Sequence, residues 1–187
     1  MAFDFNIDTF TQKLKSGGAL NSLFQCNLTA DKGKGSNIKD FAFLCHTAAL
    51  PGSAVEATAI NYMGRALSIP GNRAVQTLTT SVYNDEDFAV RNHMENWMEL
   101  ISSHKSNKRA VGMQEINSYT GALTIEQISR DGLIATKKYE FIQAWPSATT
   151  DIAVSWATSE IETFDITWNF AYWRAKNSAG TVIAGKD

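Results

Sequence analysis

Apolar and polar residues alternate with a period of two over much of this 187-residue chain, and two stretches depart from it toward helical spacing. From Ser22 to Ala30, Phe24, Cys26 and Leu28 fall on one side and Gln25, Asn27 and Thr29 on the other, which predicts a half-buried strand. Ile161–Trp173 gives the clearest strand, with Phe164, Ile166, Trp168, Phe170 and Tyr172 opposite Thr163, Asp165, Thr167 and Asn169. Gln76–Tyr83 sets Leu78 and Val82 against Thr77, Thr79 and Ser81, a hydroxyl face that water could satisfy. Further strands are predicted at Ile38–Thr47, Val55–Met63, Arg65–Ile69, Ala122–Ile128, Leu133–Trp145 and Ile152–Trp156. In Leu133–Trp145, the residues Leu133, Tyr139, Phe141 and Trp145 share a face. Val111–Tyr119 is weakly patterned and fits either a strand or an extended loop.

Turn chemistry punctuates these runs. Asp31–Asn37 carries two glycines and wet lysines, so Ile38–Thr47 should pair back on the first strand as a hairpin. Pro51-Gly52 breaks that strand, Gly64 separates the next two, and Pro70-Gly71-Asn72 is a strong turn signal. Arg130-Asp131-Gly132 contains the Asp-Gly hairpin pair. Pro146, unable to donate to a ladder, should end its strand. Thr181-Val182-Ile183 could add to a sheet edge within an otherwise loose Ala175–Asp187 tail.

Helical spacing is found first near the N-terminus, where Phe5, Ile7, Phe10 and Leu14 suggest a short helix capped by Asp8 and running to Lys15, with Gly17 and Gly18 stopping it. The larger helix runs from Asn84, as N-cap, to Ile101. Asp85, Glu86 and Asp87 complement its positive end, and Phe88, Arg91, Met94, Trp97, Met98 and Ile101 recur at three and four. Ser102–Arg109 is a polar, basic connection. Many short strands with one substantial helix predict a mainly β, antiparallel sandwich or barrel with a flanking helix, in one domain spanning residues 1–187.

Composition is ordinary for a globular chain, with 44% hydrophobic and 19% charged residues. A net charge of −2 provides no basic footprint for stable nucleic-acid binding, though transient passage of DNA past the surface is compatible with it. No apolar run is long enough to cross a bilayer, and Asp4 and Asp8 interrupt any secretory signal, so synthesis in the cytoplasm and no membrane insertion are expected. Cys26 and Cys45 read as buried thiols within strands, with a disulfide geometrically open.

Candidate chemistry is sparse. His46, His93 and His104 are far apart, no Cys-x-x-Cys spacing accompanies them, and His46 and Cys45 are neighbours on a strand, which sends them to opposite faces. There is no Gly-x-Ser-x-Gly elbow, phosphate loop or dinucleotide fingerprint. Asp85/Asp87 and Glu160/Glu162 are explained by a helix start and a strand start. No catalytic, cofactor-binding or metal-binding residues are assigned, and no enzymatic activity is expected.

The order LPG (50–52), NYMGRALSIPGNR (61–73) and LTTSVYNDEDFAVRNHMENW (78–97) resembles the tail tube proteins of contractile-tailed bacteriophages, and AWPSATTDIAVSWATSEIETFDITWNFAYW (144–173) is similar to the closing strands of that family. SGGALNSLFQCNL (16–28) resembles its start, with Leu20 and Asn21 standing where Arg-Pro is common. The resemblance implies a structural virion protein whose hexameric rings share an inner β-barrel and stack into a hollow tube, a conduit for DNA ejection. Its implied partners are further copies of itself, the tail sheath, a baseplate or initiator protein and a tail terminator. A tube initiator, a tube subunit of a DNA-free injection device related to type VI secretion ring proteins, and a monomeric β-sandwich binding module are the alternatives.

Three surfaces carry the expected assembly. Ile60, Tyr62, Met63, Arg65 and Arg73, on a Val55–Arg73 hairpin loosely packed in the free subunit, would bridge stacked rings. Thr77, Thr79, Ser81, Thr163, Asp165, Thr167 and Asn169 would line the bore, where Lys or Arg would hold each passing phosphate. Asp87, Arg91, Glu95 and Glu99, at four-residue steps, would face the sheath.

Overall fold

The computed structural model describes residues 6–14, 17–29, 40–74, 76–132, 134–178 and 180–184. Among them the elements run α1 (Ile7–Lys13), β1 (Phe24–Thr29), α2 (Phe41–Leu44), β2 (Cys45–Ala48), β3 (Ala54–Tyr62), β4 (Arg65–Ala74), β5 (Leu78–Tyr83), α3 (Ala89–Ile101), α4 (Ile116–Tyr119), β6 (Gly121–Ile128), β7 (Ala135–Thr149), β8 (Thr163–Asn169), β9 (Tyr172–Asn177) and β10 (Val182–Ala184). All the strand pairings are antiparallel, as expected of a mainly β fold.

The first half of β7 lies between β6 and β9, and the sheet continues to β1 on one side and β10 on the other. Its second half pairs with β8, followed by β5 and β2. One strand thus serves two sheets. The change falls at Gln143, whose φ of 55° is left-handed. Before it Tyr139 and Phe141 point inward; after it Ala144 and Pro146 do. A single left-handed residue shifts the pleat by one and bends the strand, as a bulge does.

The inward faces of the two sheets meet in one core. Cys26, Leu123, Ile125 and Phe141 come from the first sheet and Leu78, Val82, Phe164, Ile166 and Trp168 from the second. Trp168, fully buried, meets Phe41 of α2 edge-on at 6.2 Å and Trp97 of α3 at 6.1 Å. Both indole N–H groups are satisfied: Trp168 Nε1 donates to Thr80 Oγ1 at 2.9 Å and Trp97 Nε1 to the Tyr119 carbonyl at 2.6 Å. Buried polar groups paired in this way fix the rings in one orientation.

Several expectations change. The N-cap of α1 is Asn6, whose side chain accepts from the Asp8 N–H, because Asp8 already lies inside the helix. Residues 41–44 of the predicted second strand form α2, and β2 pairs with β5 instead of folding back on β1. Pro70-Gly71-Asn72 lies within β4, beside an irregularity between Val55 and Ala57 that relieves the ladder of a donor at Pro70. Pro146 likewise sits inside β7, tolerated at a register shift opposite Trp168, and the phase change at Gln143 takes Trp145 off the Tyr139–Phe141 face. The long C-terminal strand breaks at Phe170–Ala171 into β8 and β9, leaving Tyr172 exposed, and residues 152–156 are loop.

Helix α3 starts at Ala89, five residues after Asn84. Phe88 stands before it at φ 53°, Asp85 Oδ1 accepts the Ala89 N–H at 2.9 Å, and Asn84 instead bonds Glu162 through both its backbone and side chain. The Val111–Tyr119 stretch resolves into the single turn α4. β10 pairs with β9, the edge addition that Thr181–Ile183 suggested. Phe5, the expected helix end at Lys15, the Asp31–Asn37 turn, the strand start at Ile38, and Leu133 lie outside the described residues.

Cys26 and Cys45 are buried free thiols, one on each sheet. The neighbouring Cys45 sulfur, together with burial, pushes the Cys26 thiol far above its ordinary value, which leaves it protonated and unreactive. Two outcomes follow. Alkylation of Cys26 by iodoacetamide should track global unfolding in urea. Thr80→Val should cost about 1–3 kcal/mol in urea denaturation, because the Trp168 N–H would be left buried without an acceptor, whereas Thr80→Ser should restore most of it.

Candidate assembly surfaces

β3 and β4 form a sheet of their own, separate from the sandwich. Their turn is the pair Met63-Gly64, both at positive φ (46° and 79°), the backbone of a tight two-residue hairpin. Register places Ile60 opposite Leu67, Tyr62 opposite Arg65 and Thr58 opposite Ile69, so one face of the arm is an apolar ladder. That ladder has no cover: Tyr62 is 71% exposed and Leu67 62%. Leu67 and Ile69 belong to it as much as Ile60 does, and period-two reading of β4 in register with β3 would have found them. Arg65 is at the tip, while Arg73 lies at the root and donates to Ser53 Oγ at 2.7 Å.

The second sheet has a polar outer face. Thr79 stands opposite Thr167, Ser81 opposite Asp165 and Tyr83 opposite Thr163, all pointing away from the core. Ser81 donates to the Asp165 carboxylate, whose backbone N–H donates to Thr150 Oγ1 at 2.8 Å. Asn169 pairs with Trp145 of β7, and Thr77 precedes β5, exposed. β2, β5, β8 and the second half of β7 contain no Lys or Arg. The Lys and Arg residues of the sandwich strands lie on the first sheet, where Lys138 bridges Glu126 at 2.8 Å and Lys176 bridges Glu140 at 2.8 Å.

Helix α3 lies on the core side of the second sheet. Its Trp97 packs on Trp168, and the Arg91 guanidinium sits 5.5 Å from the centre of the Phe164 ring, which explains why Arg91 recurs with the apolar stripe. Arg91 also ion-pairs with Glu95 at 2.9 Å. Glu99 turns toward the following loop, where the His104 N–H donates to it at 3.0 Å and holds its carboxyl below the usual carboxylate value. Asp87 is in the turn ahead of the helix, so the expected line of four charged residues keeps three on the helix: Arg91, Glu95 and Glu99.

Other exposed apolar residues escaped strand-based reading. Val154, Trp156 and Ile161 lie on the loop between β7 and β8, with Trp156 fully exposed, and α1 buries none of its residues. The lone clue was a Trp in a run with no partner strand. Among the described residues no three His, Cys, Asp or Glu side chains converge to hold a metal, and no helix is long and apolar enough to cross a membrane.

A β-sandwich with a projecting, uncovered arm and several unpartnered apolar surfaces is the form of a subunit built to assemble. The fold is that of contractile-injection tube proteins. The anti-feeding prophage tube-terminating cap superposes with a TM-score of 0.62 over 95% of both chains at 14% identity. The tube–sheath complex of the PVC extracellular contractile injection system, in its extended state, gives 0.60 over 94% of this chain and 99% of that one at 12% identity. In sequence, tail tube protein gp19 of Enterobacteria phage T4 is 29% identical over 169 residues, 89% of this chain and 98% of that protein. Residues 3–176 match the family model of phage tail tube proteins, and the chain belongs to that family. It is therefore a structural tube subunit of a phage tail.

Because the arm makes its hydrogen bonds within itself and buries little, it should open locally at low cost. Limited proteolysis of the free subunit is expected to cut first near Met63-Gly64, and amide exchange in β3 and β4 should run well ahead of β5 and β8.

Proposed function

We propose that six copies close into a ring, that rings stack into the inner tube of a contractile tail, and that DNA passes through the bore during ejection. The observation that carries this reading is the placement of two surfaces on opposite sides of one sheet. The cation-free polar face of β5 and β8 points one way, and α3 lies on the other side. If that face forms the inner wall, α3 is necessarily outside, where a sheath would meet it. Thr77, Thr79, Ser81, Thr163, Asp165, Thr167 and Asn169 then offer DNA hydroxyls, an amide and one carboxylate, with no counterion-releasing grip on phosphate.

β1, β2 and β10 end their sheets, and strand pairing between copies at such edges is what ring closure would satisfy. The names of similar proteins support the partners: a sheath–tube complex, a tube terminator and a baseplate are among the structures sharing the fold. Assembly in the host cytoplasm, with the sheath on the outside and an initiator and terminator at the two ends, completes the reading.

Negative-stain microscopy and sedimentation of the purified chain test it directly. Rings and tubes are expected; a strictly monomeric folded protein at high concentration would refute it. Replacing Ile60, Tyr62 and Met63 together by Ser should leave rings and abolish tubes, since the arm's cover would no longer be gained on stacking. Glu95→Lys with Glu99→Lys should spare tubes and reduce sheath assembly, most visibly at low salt where weak charge pairs are least screened. Thr79→Lys with Thr167→Lys should leave tubes intact while slowing DNA ejection, with the defect shrinking as salt rises.

A further inference from the structure

A hollow of about 370 Å³ opens between the turn before α3 and the segment leading into β8, lined by Asp85, Glu86, Phe88, Glu160, Ile161 and Glu162. Asn84 clamps its two walls together, its N–H donating to the Glu162 carbonyl at 2.9 Å and its side-chain amide to the Glu162 carboxylate at 2.9 Å. The lining therefore combines four carboxylates with two partly exposed apolar side chains, Phe88 and Ile161. The arm tip has the opposite character: Tyr62 and Met63 are exposed apolar groups, and Arg65 is the adjacent cation.

The positions are as informative as the chemistry. β4 ends at Ala74, four residues before β5 begins at Leu78, whereas the hollow starts at Asn84, immediately after β5 ends at Tyr83. Six strand residues, about 20 Å, separate the two ends of β5. The root of the arm and the hollow thus flank opposite ends of one strand, an arrangement compatible with a repeated head-to-tail contact between copies.

We infer that the hollow is the receptor for the arm tip of a second copy of this chain, with Met63 and Tyr62 against Phe88 and Ile161 and the Arg65 guanidinium among the carboxylates. This rests on the stacking role proposed above and specifies the surface on which the arm lands. Apolar contact supplies the cohesion, and the charges fix which end of one copy meets which end of the next.

Charge exchange tests it. Arg65→Glu and Glu160→Arg, both at exposed positions, should each allow rings but lower pelleted tube mass at least tenfold, and the combined variant should recover most of the loss. Arg65→Cys with Glu160→Cys, in a Cys26→Ser, Cys45→Ser background, should give a ladder of covalent multimers when assembled tubes are oxidised with copper phenanthroline and none from isolated rings. Arg65→Glu blocking tubes while Glu160→Arg assembles normally, with no cysteine ladder, would overturn the receptor while leaving the arm's stacking role standing. Tubes of normal yield from both single variants would overturn it as well. Failure of the unmodified chain to stack at all would remove the underlying reading instead.

Discussion

Everything in the sandwich depends on β7 being able to belong to two sheets. A strand with an unbroken pleat would carry its inward set along one face for all 15 residues, and the second half would offer its wrong side to the core. The left-handed turn of Gln143 resets the alternation, so that Phe141 points into the core from the first sheet while Pro146 points into it from the second, beside Trp168 on β8. The reset sets Pro146 beside the fully buried Trp168, whose indole N–H is satisfied by Thr80. The flank helix follows, since Trp97 packs on the ring so fixed. A polar outer face on β5 and β8 is the other half of the same alternation: once Phe164, Ile166 and Trp168 are inside, Asp165 and Thr167 have to be outside.

This coupling explains which parts of the fold were legible. The class, the long alternating strands and the apolar stripe of α3 all rest on local periodicity, and the structure keeps Phe164, Ile166 and Trp168 on one face and Met94 and Trp97 in the core. Breaks in periodicity are set by partners distant in the chain and leave little local signal. Pro70 and Pro146 lie inside strands because register shifts accommodate a missing donor, and such shifts depend on the partner strand. Phe41–Leu44 is apolar enough for a strand, yet it winds into one turn that delivers Phe41 to Trp168. Asn84 has the composition of a cap, yet α3 starts at Ala89 because Asn84 is claimed by Glu162, a residue 78 positions away.

The assembly surfaces divide in the same way. Tyr62, Met63 and Arg65 were singled out from turn chemistry and family resemblance, and they stand at the exposed tip. Arg73 shares their hairpin but is tied down at its root by Ser53. The polar residues of β5 and β8 could be named separately from alternation, while their convergence into one continuous face is a matter of register, Thr79 to Thr167 and Ser81 to Asp165. The acidic hollow had no signature in the chain: Asp85 and Glu160 are 75 residues apart and meet only because β5 and β8 pair.

The arm leaves the sandwich at one end of β5 and does not fold back over its own subunit, which gives any column of these molecules a direction. If the arms bridge successive layers as proposed, one terminus would display a crown of uncovered apolar hairpins and the other none. The hairpin crown would be apolar with a cation, and the opposite rim would carry the carboxylates of the hollow, so the two termini would invite different capping proteins. Such a polymer carries no internal signal to stop, because each added layer recreates the same crown. Its length must be set from outside, by a template or by a cap that covers the hairpins without presenting new ones.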